Sequence, residues 1–103
     1  MLYELKQYLA HPGQAEALRE RFMQVTLPIF KRLGIKVIAI YAPLDRPEEL
    51  HYITAFADQA QRQAAWAAFA EDPQWRNAKA ASERQGPLLA SQTAEVMQAL
   101  SIT

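Results

Sequence analysis

The chain has 103 residues and a mass of 11.7 kDa, the length of one domain, because a single hydrophobic core usually holds about 50 to 200 residues. Half of the residues are hydrophobic and the 11 basic residues balance the 11 acidic ones, so intrinsic disorder and recognition of nucleic acid or an anionic membrane are not expected. Without cysteine, the chain has no disulfide framework, no thiolate nucleophile and no sulfur-based zinc site. We therefore expect one globular domain over residues 1–103, stabilised by packing.

The first two predicted elements are a strand and a helix. Residues alternate in direction from Leu2 to Leu9, which indicates a half-buried strand. One face of this strand carries Leu2, Glu4, Lys6 and Tyr8. From Ala15 onward, apolar residues recur every three or four positions, which predicts a core-facing helix that ends at Gly34. Pro28 lies inside this pattern and lacks an N–H, so we expect a kink or a break near Thr26.

The next two segments form a predicted hairpin. Residues 35–42 and 50–57 are short and rich in strand-forming side chains, and the proline-containing and charged segment 43–49 is a loop. Strict alternation along the second strand puts Ile35, Val37, Ala39 and Tyr41 on one face and Ile38 and Ile40 on the other.

The last part of the chain begins with two helix start signals. Asp58 can cap an alanine-rich helix that runs to Ala70, and Asp72 followed by a proline can start a second piece, so two pieces meet near Glu71. This helical region is predicted to end near Gly86. Residues 88–97 alternate in direction and predict a fourth strand.

The order β-α-β-β-α-β indicates an α+β, ferredoxin-like fold with a four-stranded antiparallel sheet and both helical regions on one face. The strands carry apolar residues on both sides, whereas the helices cover only one. We therefore predict a homodimer, formed through the open sheet face, of the kind called a dimeric α/β barrel. The competing interpretation is that these residues are scattered surface hydrophobics, and a higher assembly of dimers stays open.

The chain resembles the NIPSNAP family, a branch of the dimeric α/β-barrel proteins that also include the antibiotic-biosynthesis monooxygenases. The matching segments span nearly the whole chain: Tyr3-Glu4-Leu5 with Tyr8, Pro12-Gly13, Leu27-Pro28 with Gly34, Asp72-Pro73-Gln74-Trp75 and Gly86-Pro87-Leu88. The third strand departs from the family pattern of tryptophan, tyrosine and histidine and has Tyr52, Thr54 and Phe56 instead. The resemblance implies a barrel dimer and does not imply a reaction.

Five candidate ligand-binding residues are Tyr8, Tyr41, His51, Trp66 and Trp75. Trp66, Phe69 and Trp75 on the helices, with Tyr8 and Tyr41 on the strands, can line a cleft between helices and sheet that takes a small molecule. The alternative is that these aromatic side chains only fill the core.

Histidine and charged side chains give weaker signals. His51 lies beside Glu48 and Glu49 on the third strand and can act as a base, but the chain lacks the histidine spacing of a metal site, so no metal is predicted. A solvated helix face with local ion pairs is predicted for Arg62, Glu71, Asp72, Arg76, Lys79 and Glu83.

No sequence motif for nucleotide binding, serine hydrolysis or zinc proteolysis occurs, and no cofactor is predicted. An RNA-recognition module shares the element order, but the zero net charge argues against it. The chain shows no signal-peptide pattern and no long apolar run, so we expect a cytoplasmic protein. The leading hypothesis is a small-molecule-binding or assembly module, and the alternative is a cofactor-independent monooxygenase-like enzyme acting in the cleft. Whether the chain is an enzyme stays open.

Overall fold

The computed structural model describes residues 1–102 and has one antiparallel sheet with the strand order β2-β3-β1-β4. The strands are β1 (Leu2–Ala10), β2 (Lys36–Tyr41), β3 (Glu49–Phe56) and β4 (Leu89–Gln98). The helices, which pack on one face of the sheet, are α1 (Ala15–Arg21), α2 (Leu27–Leu33), α3 (Gln59–Glu71) and α4 (Pro73–Ser82). Each helical region connects two strands that have a third strand between them, which is the split β-α-β arrangement of the ferredoxin-like fold. The predicted α+β, ferredoxin-like fold is confirmed.

The first helical region stays helical from Ala15 to Leu33 but widens in its middle. A π-helical turn over residues 22–26 joins α1 to α2 directly before Pro28. Because Pro28 has no N–H to donate to the carbonyl one turn earlier, a wider turn accommodates the missing bond without breaking the helix. The disruption expected near Thr26 is thus a widened turn. Gly34 ends the helix in the left-handed conformation, with φ 78°.

Both predicted helix starts in the second half of the chain are confirmed. The Asp58 carboxylate accepts a hydrogen bond from the backbone N–H of Gln61 at 2.8 Å. The Asp72 carboxylate accepts one from the backbone N–H of Trp75 at 3.0 Å. Each carboxylate satisfies an N–H that has no partner within its helix. Helix α4 ends at Ser82, earlier than predicted.

A β-bulge at Ile38 changes the faces that β2 presents. Val37 and Ala39 pair with consecutive residues of β3, so Ile38 has no pairing partner in that strand. The extra residue shifts the alternation by one position. Each residue of β2 after the bulge therefore lies on the other face of the sheet from the one predicted by strict alternation. The predicted grouping of Ala39 and Tyr41 with Val37 is therefore wrong, because Val37 faces the helices and the other two face away from them. Ile40, predicted on the face opposite to Val37, packs against the same core.

The hydrophobic core lies between the sheet and the helices. Its main cluster consists of Phe22, Phe30, Ile35, Leu50, Tyr52 and Phe56, and a smaller cluster consists of Ala10, Leu18 and Leu88. Tyr52 in β3 is fully buried and contacts Phe22 and Phe30 through its ring. The other side of the sheet, which we call the open face, has no core cluster within residues 1–102.

Candidate functional site

A cavity of ≈ 380 Å³ lies between the helices and the half of the sheet formed by β1 and β4. Its volume is within the range of about 300 to 1,000 Å³ that is usual for small-molecule sites. Six side chains that line it are Lys6, Tyr8, Phe22, Trp66, Phe69 and Trp75. Both tryptophans of the chain therefore reach the same cavity.

The structure brings together three of the five predicted ligand-binding residues and separates the other two. Tyr8, Trp66 and Trp75 line the cavity. Tyr41 and His51 are opposite each other in the β2–β3 pair, on the open face. The sequence predicted that Tyr41 lines the same cleft as Tyr8, and this prediction is wrong. The bulge in β2 places the Tyr41 side chain on the opposite face of the sheet. The Nε2 atom of His51 is 2.8 Å from a carboxylate oxygen of Glu49, on the same face.

A buried carboxylate on the central strand organises the cavity wall. Glu4 is 1% exposed, and its carboxylate accepts hydrogen bonds from the Arg62 guanidinium at 2.9 and 3.1 Å and from the indole N–H of Trp66 at 2.7 Å. Burial alone would raise the pKa of Glu4, but the hydrogen bonds from Arg62 and Trp66, with the nearby positive charges, outweigh it and leave the pKa below its usual value. Trp66 is thereby held in one orientation.

Lys6 lies next to Glu4 on the same face of β1. Its ammonium nitrogen is 3.8 Å from the centroid of the Trp66 ring, the geometry of a cation–π contact. Burial lowers the pKa of Lys6, although the charge of Glu4 acts in the opposite direction. Within residues 1–102, Lys6 forms no ion pair and no side-chain hydrogen bond, because the Glu4 oxygens bind Arg62 and Trp66.

Two tyrosine hydroxyls meet at the floor of the cavity. The hydroxyl oxygens of Tyr8 and Tyr52 are 2.7 Å apart, which is a hydrogen bond that either group can donate. Burial raises the pKa of both tyrosines, so both hydroxyls are protonated at neutral pH. Tyr52 is fully buried, whereas Tyr8 lines the cavity.

The far wall of the cavity contains an ion pair and two stacked rings. Arg21 donates to the Glu83 carboxylate at 2.7 Å, and its guanidinium carbon is 5.1 Å from the centroid of the Trp75 ring. The Trp75 ring stacks on Phe69 with centroids 4.7 Å apart. Lys79 approaches the second oxygen of Glu83 at 3.7 Å. These contacts fix the wall in place.

The ion pairs predicted for a solvated helix face are mostly tertiary contacts. Arg62 binds the buried Glu4, Glu83 binds the buried Arg21, and the buried Asp72 accepts two hydrogen bonds from Arg32 at 2.7 and 2.8 Å. Hydrogen bonding to Arg32 is the main cause that lowers the pKa of Asp72. The prediction was wrong for these pairs because their partners lie far away along the chain. Among the six residues of that predicted face, all within residues 1–102, Lys79 and Glu83 form the only local ion pair, at 3.7 Å.

The described part of the chain lacks a metal-binding cluster and a membrane-spanning helix. Within residues 1–102, no group of three histidine, aspartate or glutamate side chains is placed to hold a metal ion. None of the helices in that range combines the length and the apolar character that crossing a membrane requires.

The buried carboxylate generates a prediction on stability. We expect Glu4→Gln to lower the free energy of unfolding by about 3 kcal/mol, because it removes the charge that pairs with Arg62 and weakens the hydrogen bonds from Arg62 and Trp66. Urea unfolding at one fixed protein concentration measures the loss. The exposed Glu16 on α1 provides the control, and Glu16→Gln should change stability by less than about 0.5 kcal/mol.

The same pair of proteins tests the pKa of Glu4. A depressed carboxyl pKa adds stability above the unfolded value of about 4.5, and this contribution is lost as pH falls through the folded value. The difference in stability between the native chain and Glu4→Gln should therefore shrink below pH 4.5. A difference that stays constant or grows as the solution becomes more acidic contradicts the assignment.

Comparisons with known proteins agree with this architecture. The sequence matches the NIPSNAP family over residues 3–103. A NIPSNAP family protein from Agrobacterium tumefaciens has a TM-score of 0.85 at 14% identity, with 99% of this chain and 95% of that chain covered. An uncharacterized NIPSNAP domain protein from Burkholderia xenovorans has a TM-score of 0.83 at 19% identity, with 100% and 98% covered.

A third solved structure, described as an antibiotic biosynthesis monooxygenase, has a TM-score of 0.68 at 12% identity, with 98% of this chain and 100% of that chain covered. At these identities, the three likenesses show the fold alone. No curated protein is matched by the sequence. The family match covers almost every residue, and the resemblance inferred from the sequence is confirmed. The chain belongs to the NIPSNAP family.

Proposed function

We propose that the protein binds a small organic molecule in the cavity between its helices and its sheet. The observation that carries this proposal is a cavity of ≈ 380 Å³ whose walls combine several aromatic rings with a few polar groups. Small-molecule sites typically have this composition, because apolar walls supply binding energy and isolated polar groups orient the ligand. A purely structural interior would close such a space, since protein cores are packed as densely as organic crystals.

The walls are held in place before any ligand arrives. The Trp66 indole is bound by the Glu4 carboxylate at 2.7 Å, and the Trp75 ring is stacked on Phe69. A site that needs no rearrangement loses little entropy on binding, which favours affinity for small ligands. This arrangement supports a binding role for the rings in addition to their contribution to the core.

The second candidate function is a cofactor-independent monooxygenase-like reaction in the same cavity. The observation that favours it is the hydrogen-bonded pair of Tyr8 and Tyr52, which can transfer a proton at the edge of an apolar space. In such a reaction, the substrate itself would supply the electrons that reduce dioxygen. The monooxygenase described above shares the fold and adds no residue-level support.

The cavity gives a prediction on binding. We expect at least one of three probes, 2-naphthoate, 2-naphthamide and 2-naphthylmethylamine, to bind with a measurable heat in isothermal titration calorimetry. Ala70 on α3 lines the cavity, so Ala70→Phe should fill it and weaken that binding by about tenfold or more.

The matched control for this variant is Ala68→Phe. Ala68 is an exposed residue of the same helix and does not line the cavity. The Ala68→Phe substitution should leave the affinity for the probe unchanged. If none of the three probes binds, or if both variants weaken binding equally, the proposed site is wrong.

We also propose that the protein is a homodimer joined through its open face. The apolar centre of this face lies on β1 and β3 and extends to one residue of each outer strand; it is formed by Tyr3, Leu5, Ala39, Ile53, Ala55 and Met97. Two charged residues border it, Lys36 of β2 opposite Ala55 and Glu95 of β4 opposite Leu5. Gln7, His51 and Thr93 form one polar edge of this centre. An apolar centre with a polar rim is the usual composition of a subunit interface, and a two-fold axis lets the same patch cover itself. The cytoplasmic location and a higher assembly of dimers stay predictions from the sequence.

The dimer proposal is tested by mass. Size-exclusion chromatography with light scattering should give twice the chain mass of 11.7 kDa at micromolar concentration. Ile53→Lys should produce a monomer, because it places a charge at the apolar centre of the face. Met23→Lys is the control, since Met23 is 52% exposed on the helical side. A native chain that elutes as a monomer would refute the proposal.

A further inference from the structure

The charges that line the cavity are unbalanced. Its walls contain three cationic side chains, Lys6, Arg21 and Lys79, and a single carboxylate, that of Glu83. Arg21 and Lys79 share this carboxylate at 2.7 and 3.7 Å, which leaves Lys6 without an anionic partner in the described part of the chain. Lys6 is partly buried, and the charge of the neighbouring Glu4 offsets only part of the cost of removing its ammonium group from water. An anion that enters the cavity and contacts this ammonium group would offset more of that cost.

The tyrosine pair adds a hydrogen-bond donor without an acceptor. Tyr8 and Tyr52 share one hydrogen bond of 2.7 Å and have two hydroxyl protons between them. Tyr52 is fully buried, and its hydroxyl has no side-chain partner other than Tyr8 within residues 1–102. When Tyr52 donates to Tyr8, the second proton belongs to Tyr8 and is available to the cavity that this residue lines. An oxygen acceptor in the cavity satisfies it.

Lys6 and Tyr8 present their groups from the same strand. They are two residues apart in β1, so their side chains leave the same face of the sheet about 7 Å apart at the backbone. Both side chains are long, and one carboxylate can accept from both groups. The rings of Trp66, Phe69 and Trp75 are the apolar surface next to them.

Resting on the proposed function above, we propose that the ligand is a small carboxylate with a planar, apolar body. Its carboxylate accepts hydrogen bonds from the Lys6 ammonium and the Tyr8 hydroxyl, and its body lies against the tryptophan rings. Charge-assisted hydrogen bonds of this kind are roughly twice as strong as neutral ones, so they select an anion over a neutral molecule of the same shape.

The test compares three probes of one shape by isothermal titration calorimetry. We expect 2-naphthoate to bind about tenfold or more tightly than the neutral 2-naphthamide, and the cationic 2-naphthylmethylamine to bind more weakly than both. Lys6→Gln should lower the affinity for 2-naphthoate about tenfold and leave the affinity for 2-naphthamide unchanged. Lys6→Arg should keep the preference for the anion. Tyr8→Phe should weaken 2-naphthoate binding by about fivefold.

Lys31→Gln is the matched control, because Lys31 is an exposed lysine of α2 that does not line the cavity. The Lys31→Gln variant should bind the three probes with the affinities of the native chain. The comparison of the three probes on the native chain decides the question even where a Lys6 variant fails to fold. Equal affinities for the three probes would overturn the carboxylate proposal and leave the binding site standing, whereas no binding by any probe overturns both. A preference for the anion that survives Lys6→Gln overturns the role of Lys6.

Discussion

The contact on which the helix–sheet assembly depends is the one between the Glu4 carboxylate and two groups of α3. Glu4 lies in the central strand β1, is almost fully buried and binds both Arg62 and Trp66. A buried carboxylate is destabilising unless it is paired, so α3 must lie where its guanidinium and indole N–H reach the strand. This fixes the Trp66 ring, and the ring in turn provides the surface over which the Lys6 ammonium lies. The position of the cavity follows from one ion pair.

The second constraint is that the helices cover only one side of the sheet. Residues of one β1 face, including Glu4, Lys6 and Tyr8, meet the helices, and those between them lie on the open face. The two proposed binding surfaces accordingly lie on opposite sides of the sheet. The proposed ligand site is on the helical side, and the proposed subunit interface is on the other, so a ligand can bind each protomer without competing with its partner.

The sequence was sufficient for the element order, the helix caps and the family, because these depend on local signals such as alternation, Asp58, Asp72 and Gly34. It placed Tyr8, Trp66 and Trp75 near one another but failed for Tyr41. A bulge inserts one residue without a distinct signature, and one residue reverses every later side chain of a strand. The ion pair that Arg62 forms and the one that Glu83 forms were missed for another reason. The partner of each residue is far away in sequence, and no local pattern indicates it.

The sequence contains one signal for the charged part of the site. Glu4 and Lys6 share the strand face of Tyr8, so a Tyr8 that faces the helices implies that both charges do as well. A pair of charges on the covered side of a central strand needs partners, and only one of the two finds a carboxylate or a cation within the described residues.

We propose that the space between Trp66 and the sheet is a binding site for an anion. Chemical-shift mapping by ¹H–¹⁵N NMR with 2-naphthoate tests it most directly, because the chain has only two indole N–H signals and both belong to this cavity. We expect both indole signals and the backbone amides of Lys6 and Tyr8 to shift in a saturable way, while the amides of Tyr41 and His51 do not. Shifts confined to the open face, with both indole signals unmoved at saturation, would contradict it.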